Sequence, residues 1–130
     1  MVFAKQEVIT PSILEDVPLT ATSAIVVDLQ AIQHNYSHTE KHLKDGCHIA
    51  AVVKADSYGL GMTQVAQALY AQGCRVFYVA FLEEGLRLRQ ALPYKDAKIF
   101  IFSGVLSGTE NYFIQQNLIP VLVDREQVKR

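Results

Sequence analysis

The sequence predicts an α/β fold built on a parallel sheet, and three observations carry that prediction. Apolar runs begin near positions 48, 75, 98 and 118, a helix-patterned segment fills each gap, and the run "HIAAVVK" (48–54) is apolar on successive residues. Unbroken apolarity marks a strand covered on both faces, as parallel strands are. Strand–helix alternation at this spacing implies right-handed crossovers. Two architectures satisfy these conditions: an open doubly wound sheet, and part of an eight-stranded (β/α) barrel.

The elements follow in order. Residues 1–20 lack periodicity and contain Pro11 and Pro18, so they read as an N-terminal extension, an extended arm with at most a short helical turn. "SAIVVDL" (23–29) is β-branched and reads as a strand. From Leu29 a helix is expected to about Lys44, with Leu29, Ile32, Tyr36 and Leu43 on one face and Gly46 ending it. Residues 21–45 thus form a leading strand and helix, and 46–130 hold the repeating βα units. His34, His38 and His42 make a stripe four residues apart, but on the helical wheel it lies opposite the apolar face, which makes these solvent-facing histidines and not a metal site.

Met62, Val65, Ala66, Leu69 and Tyr70 repeat at helical spacing up to Gly73, and "RVFYVAF" (75–81) is the next strand. In "LEEGLRLRQAL" (82–92), Glu83 and Glu84 sit in the first turn, where the helix dipole favours acids, and Glu83 can pair with Arg87. Gly85 weakens this helix by about 1 kcal/mol relative to alanine, so close packing is expected there. "AKIFIFSG" (97–104) is a third strand. Ser107 with Glu110 forms the pattern of a capping box, Asn117 can end that helix, "LIPVLV" (118–123) is a fourth strand, and Asp124 with Gln127 starts another box. The pattern stops inside an expected helix, as a fragment of a longer chain would.

Composition narrows the function. The chain is 50% hydrophobic and 19% charged with a net charge of −1, and no basic stripe runs through it, so nucleic acid is not an expected partner. No apolar run approaches the roughly 20 residues of a membrane span. The N-terminus is a poor signal peptide, carrying Glu7, Glu15 and Asp16, and the expected location is the cytoplasm. Cys47 and Cys74 are too few for a disulfide framework and read as buried or half-buried thiols in a reducing compartment.

The stretch that points to chemistry is "IAAVVKADSYGLG" (49–61). Lys54 closes an apolar run and falls at the carboxyl end of a strand, the edge where both architectures bind ligands. An amine partly removed from water is easier to deprotonate, and a neutral lysine adds to aldehydes as a Schiff-base nucleophile. Gly59 and Gly61 permit a tight turn into the next helix, whose first amides can attract a phosphate, and Tyr58 offers a hydroxyl. Together these are what pyridoxal phosphate needs from one loop. The same residues also fit a solvated strand terminus. The phosphate-loop order G-x-x-x-x-G-K followed by Ser or Thr is absent, and no G-x-G-x-x-G follows a strand.

The string "AVVKADSYGLG" resembles the cofactor-lysine motif of bacterial alanine racemases, AVVKA, then Asn or Asp, then AYGHG. "IVVDLQAIQHN" resembles that family's opening strand and helix, "VAQALYAQGCRVFYVAFLEEGLRLRQ" its second barrel unit, and "LIPVLVDREQV" its fourth strand, so the likeness covers roughly residues 21–130. The resemblance implies a pyridoxal-phosphate enzyme of fold type III: a partial (β/α)8 TIM barrel preceded by a strand and helix, with the mostly β C-terminal domain absent from residues 1–130. It selects the barrel over the open sheet, and it implies that the first strand (23–29) belongs with the β domain and not with the barrel.

It also implies residue roles. Lys54 matches the lysine that binds the cofactor covalently and acts as one of two racemisation bases. Tyr58 matches a tyrosine that hydrogen-bonds the cofactor phosphate, and Phe102 falls near an apolar residue beside the cofactor ring. Ser57 stands for the usual alanine and Leu60 for the usual histidine. The implied reaction is interconversion of L- and D-alanine, supplying D-alanine for peptidoglycan, in a homodimer whose second base comes from the partner subunit's C-terminal domain. Residues 1–130 would then hold part of an active site and be inactive alone. A non-catalytic cofactor-binding or assembly module and a broader-specificity amino-acid racemase are the competing readings.

Overall fold

Parallel pairing in strict chain order decides between the two architectures. In the computed structural model, which describes residues 17–129, β1 (Ala51–Val52), β2 (Val76–Val79), β3 (Lys98–Ile101) and β4 (Leu118–Pro120) form one sheet ordered β1-β2-β3-β4. Every neighbouring pair is parallel. A doubly wound sheet reverses its strand order and so sends helices to both faces. Right-handed crossovers without reversal keep the connecting helices on one face, and the result is the wall of a partial (β/α)8 barrel.

The register accounts for what is buried. Ala51, Phe77, Ile99 and Leu118 align across the sheet, and Val79 aligns with Ile101 and then Pro120. Phe77, Val79, Ile99 and Ile101 are fully enclosed, in one core with Met62, Val65, Ala66 and Leu69 of α3 (Met62–Ala71), Leu88 of α4 (Leu82–Ala91) and Phe113 of α5 (Glu110–Gln115). The alternate row, Val52, Tyr78, Phe100 and Ile119, points to the opposite face and is only partly covered. Gly85 brings α4 close to β3: a Cβ there would collide with Ile101 Cδ1, which is the close packing its place in the helix implies.

The leading segment differs from expectation. Residues 23–28 form no strand, because extended backbone is stabilised by a ladder partner and none of the four strands pairs with it. The helix does form, as α1 (Leu29–Glu40), capped by Asp28 Oδ1, which accepts the Ala31 N–H at 3.0 Å. It ends at Glu40, short of Lys44; Leu43 lies exposed in the turns that follow, so no core contact extends the helix. Tyr36 is buried, and α1 is tied to α3 by Gln33 Nε2 donating to Ala68 O at 2.9 Å. The expected N-terminal arm lies mostly outside the described residues.

Three further expectations are corrected. The Ser107–Glu110 capping box does not form: α5 starts after Thr109, whose hydroxyl instead donates to Leu106 O at 2.7 Å. Arg87 reaches Asp56 Oδ1 at 3.8 Å, across to the lysine loop, instead of pairing with Glu83 on its own helix. Cys47 is exposed, while Cys74 is buried and donates to Val76 O at 3.3 Å; its burial pushes the thiol pKa up. Other signals hold. Asn117 closes α5 with φ +49°, and Asp124 Oδ1 accepts the Gln127 N–H at 2.9 Å to start α6 (Arg125–Val128).

The lower edge of the sheet is organised by Arg89 of α4. Its buried guanidinium group donates to five carbonyls, those of Leu92, Tyr94, Ala97, Gln116 and Asn117, at 2.8–3.0 Å. These carbonyls belong to the α4–β3 and α5–β4 connections, so one side chain joins two consecutive barrel units. Burial lowers its pKa from the ordinary arginine value, and the carbonyl dipoles offset the lost hydration.

Candidate active site at the carboxyl edge of the sheet

Val53 ends the first strand run and sets the position of Lys54. It is 2% exposed, and its N–H donates to Tyr78 O at 2.9 Å, extending the bonding between the two strands by one residue. Lys54 follows, half-buried, at the carboxyl edge of β1. Ligands of barrel enzymes bind at that edge.

The backbone then does something unusual. Lys54–Gly59 is a helical segment, α2, but Ala55, Asp56, Ser57 and Tyr58 have φ of +50° to +57° and ψ of +36° to +49°. This is a turn of left-handed helix in four non-glycine residues. Each such residue costs about 1–2 kcal/mol, so the surroundings must hold the turn in place. Ser57 is 4% exposed, and its N–H donates to Val53 O at 3.0 Å. Its hydroxyl is buried and has no hydrogen-bond partner among the described residues. Gly59 and Gly61, at φ +85° and +91°, then swing the chain into α3.

Two carboxylates secure this loop. Asp56 Oδ1 accepts the Met62 N–H at 2.9 Å, capping α3 from within the turn. Of the first amides of α3, which the sequence offers to a phosphate, that of Met62 is thus taken by the chain's own carboxylate. Glu84 of α4 accepts the Ala55 N–H through Oε1 at 2.7 Å and the Ala80 N–H through Oε2 at 2.8 Å.

The other sequence-predicted residues fall at the same edge. Tyr58 lies one turn beyond Lys54 and is 64% exposed. Phe102 follows β3, its N–H donating to Val79 O at 3.0 Å, and is 38% exposed. Its ring stacks on Tyr78 at 5.0 Å between centroids, and Tyr78 stacks on Phe100 at 4.7 Å. β1 and β3 are separated by β2, so Lys54 and Phe102 stand about 10 Å apart along the edge. Sequence reasoning missed Tyr78, Phe100 and Glu84. The two aromatics were signalled by their matching places in adjacent apolar runs; Glu84 gave only its first-turn position.

The residues fit pyridoxal phosphate in kind. A strand-end amine, an exposed phenol and a flat aromatic row could supply a nucleophile for the aldehyde, a donor for the phosphate and a surface for the ring. His34, His38 and His42 are exposed, the His42 ring Nδ1–H donates to His38 O at 2.8 Å, and no metal-binding cluster occurs among the described residues. Nor is any described helix long and apolar enough to cross a membrane.

Comparison with known proteins agrees with the geometry. Residues 27–130 match the N-terminal domain of alanine racemase, a slightly shorter span than the sequence resemblance covers. The alanine racemase of Rhodospirillum rubrum is 44% identical over 110 residues, which are 85% of this chain and 29% of that protein. That of Rhizobium meliloti is 41% identical over 110 residues, 85% of this chain and 28% of that protein. A crystal structure of alanine racemase from Bartonella henselae, with covalently bound pyridoxal phosphate, superposes with a TM-score of 0.74 at 36% identity, covering 79% of this chain and 28% of that one. The chain therefore spans under a third of the length of these relatives. With the sheet order, the strand-end lysine and the matched span in agreement, the chain belongs to the alanine racemase family, of which it holds part of the N-terminal domain.

Proposed function

We propose that this chain is the lysine-bearing portion of a pyridoxal-phosphate-dependent racemase that interconverts L- and D-alanine, in the cytoplasm, to supply D-alanine for peptidoglycan. The observation that carries the proposal is the placement of Lys54: half-buried, at the carboxyl edge of β1, on a backbone turn held by two carboxylates.

In this reading Lys54 captures the cofactor aldehyde. When bound, the cofactor supplies an electron sink for the charge left at the substrate α-carbon. Lys54 then takes or returns the α-proton on one face of the substrate as a general base and acid. Tyr58 donates its hydroxyl to the phosphate, and Phe102, braced by Tyr78, lies against the ring. The second base is proposed to come from the partner subunit of a homodimer, so that residues 1–130 alone show little racemisation.

Titration of the chain with pyridoxal phosphate, followed by visible absorbance, tests the assignment. The wild-type chain should give a saturable signal from the lysine–aldehyde product, and Lys54→Ala should give none. An equal signal from Lys54→Ala would place the chemistry elsewhere.

A further inference from the structure

Glu84 belongs neither to the lysine motif nor to the residues proposed to touch the cofactor, yet it ties the lysine's backbone to the sheet. Its carboxylate accepts the Ala55 N–H through one oxygen at 2.7 Å and the Ala80 N–H through the other at 2.8 Å. Ala55 is the residue after Lys54, and Ala80 is the residue after β2. One side chain therefore bridges the carboxyl ends of two adjacent strands, with the amine leaving from one of them.

The bridge is both short and fixed. Hydrogen bonds to an ionised carboxylate are the stronger kind. Glu84 has little freedom to slide, because the next residue, Gly85, is packed so closely on β3 that a Cβ would strike Ile101. Ala55 is exposed and opens the left-handed turn at φ +50°, a conformation it would leave if released. The neighbouring carboxylate is not a substitute, since Asp56 Oδ1 accepts the Met62 N–H.

We propose that Glu84 is the positioning residue for Lys54: by clamping the Ala55 and Ala80 amides it holds the lysine backbone in the orientation that lets the amine capture an aldehyde. The proposal rests on the assignment of that capture to Lys54. A glutamine at this position keeps the volume but presents one acceptor oxygen and turns an NH₂ donor towards the other amide, so one half of the clamp must break.

The test uses the 130-residue chain, pyridoxal phosphate as the probe and borohydride to fix the product, with Glu83→Gln as the control. Glu84→Gln should label Lys54 about tenfold more slowly, as expected for losing a charge-assisted hydrogen bond. Labelling of Lys98 should be unchanged, which general loosening of the fold would not leave so. Amide exchange gives a second readout that needs no cofactor: the exposed Ala55 N–H should be protected in the wild type, and should exchange about tenfold faster or more in Glu84→Gln. Lys54 labelling at the wild-type rate in Glu84→Gln, or an unprotected Ala55 amide in the wild type, overturns the proposal. If the wild type takes no label at Lys54, the proposed function fails, and amide exchange alone decides whether the clamp exists. If Glu84→Gln does not fold, wild-type protection at Ala55 and Ala80 decides it.

Discussion

Replacing Arg89 with alanine will destabilise the chain by about 3–5 kcal/mol, the largest single loss expected outside the apolar core. The substitution strands five carbonyls that now share one guanidinium group. Those at the rim can recover water, which is why the loss stays below the sum of five separate penalties. Lysine will not rescue it: a compact ammonium has three donors and cannot span two connections in the way a planar fork does. Urea denaturation of wild type, Arg89→Ala and Arg89→Lys reads this directly. A loss under about 1 kcal/mol for Arg89→Ala would show that the two connections hold their shape without the bridge.

The second large effect lies in the lysine loop, where Ala55→Pro and Ala55→Gly should move stability in opposite directions. Proline fixes φ near −65°, against +50° here, and removes the N–H that Glu84 accepts, so a loss of about 3 kcal/mol or more is expected. Glycine relieves about 1–2 kcal/mol of left-handed strain and gives part of it back through unfolded-chain entropy. The net gain should be about 0.5–1 kcal/mol. In a right-handed helix the order of alanine and glycine would be the reverse. Finding alanine more stable than glycine at position 55 would therefore contradict the left-handed turn.

Much of the fold was legible because periodicity and punctuation agreed. Gly73, Asn117 and the Asp124–Gln127 pair end or begin helices where the pattern places them. The failures have physical causes. "SAIVVDL" has the composition of a strand, but β-propensity expresses a fit to neighbours, and residues 23–28 have none in this sheet. Ser107 satisfies the capping pattern, yet the helix begins only after Thr109.

At the site, Lys54 was legible from its place at the end of an apolar run, and the family resemblance added its proposed role. The left-handed turn was not. Only Gly59 and Gly61 announce positive φ, while Ala55, Asp56, Ser57 and Tyr58 adopt it under tertiary constraint. Glu84 was hidden for a related reason. An acid in the first turn of a helix has a sufficient local explanation in the dipole, and nothing in the string reveals that its partners are amides at positions 55 and 80.

Peptide mapping after borohydride fixation with pyridoxal phosphate shows whether the amine at position 54 meets an aldehyde at the mouth of the sheet. One dominant modified peptide is expected, carrying the label on Lys54. A dominant label on Lys44 or Lys98 instead, or uniform light labelling of all lysines, would contradict it.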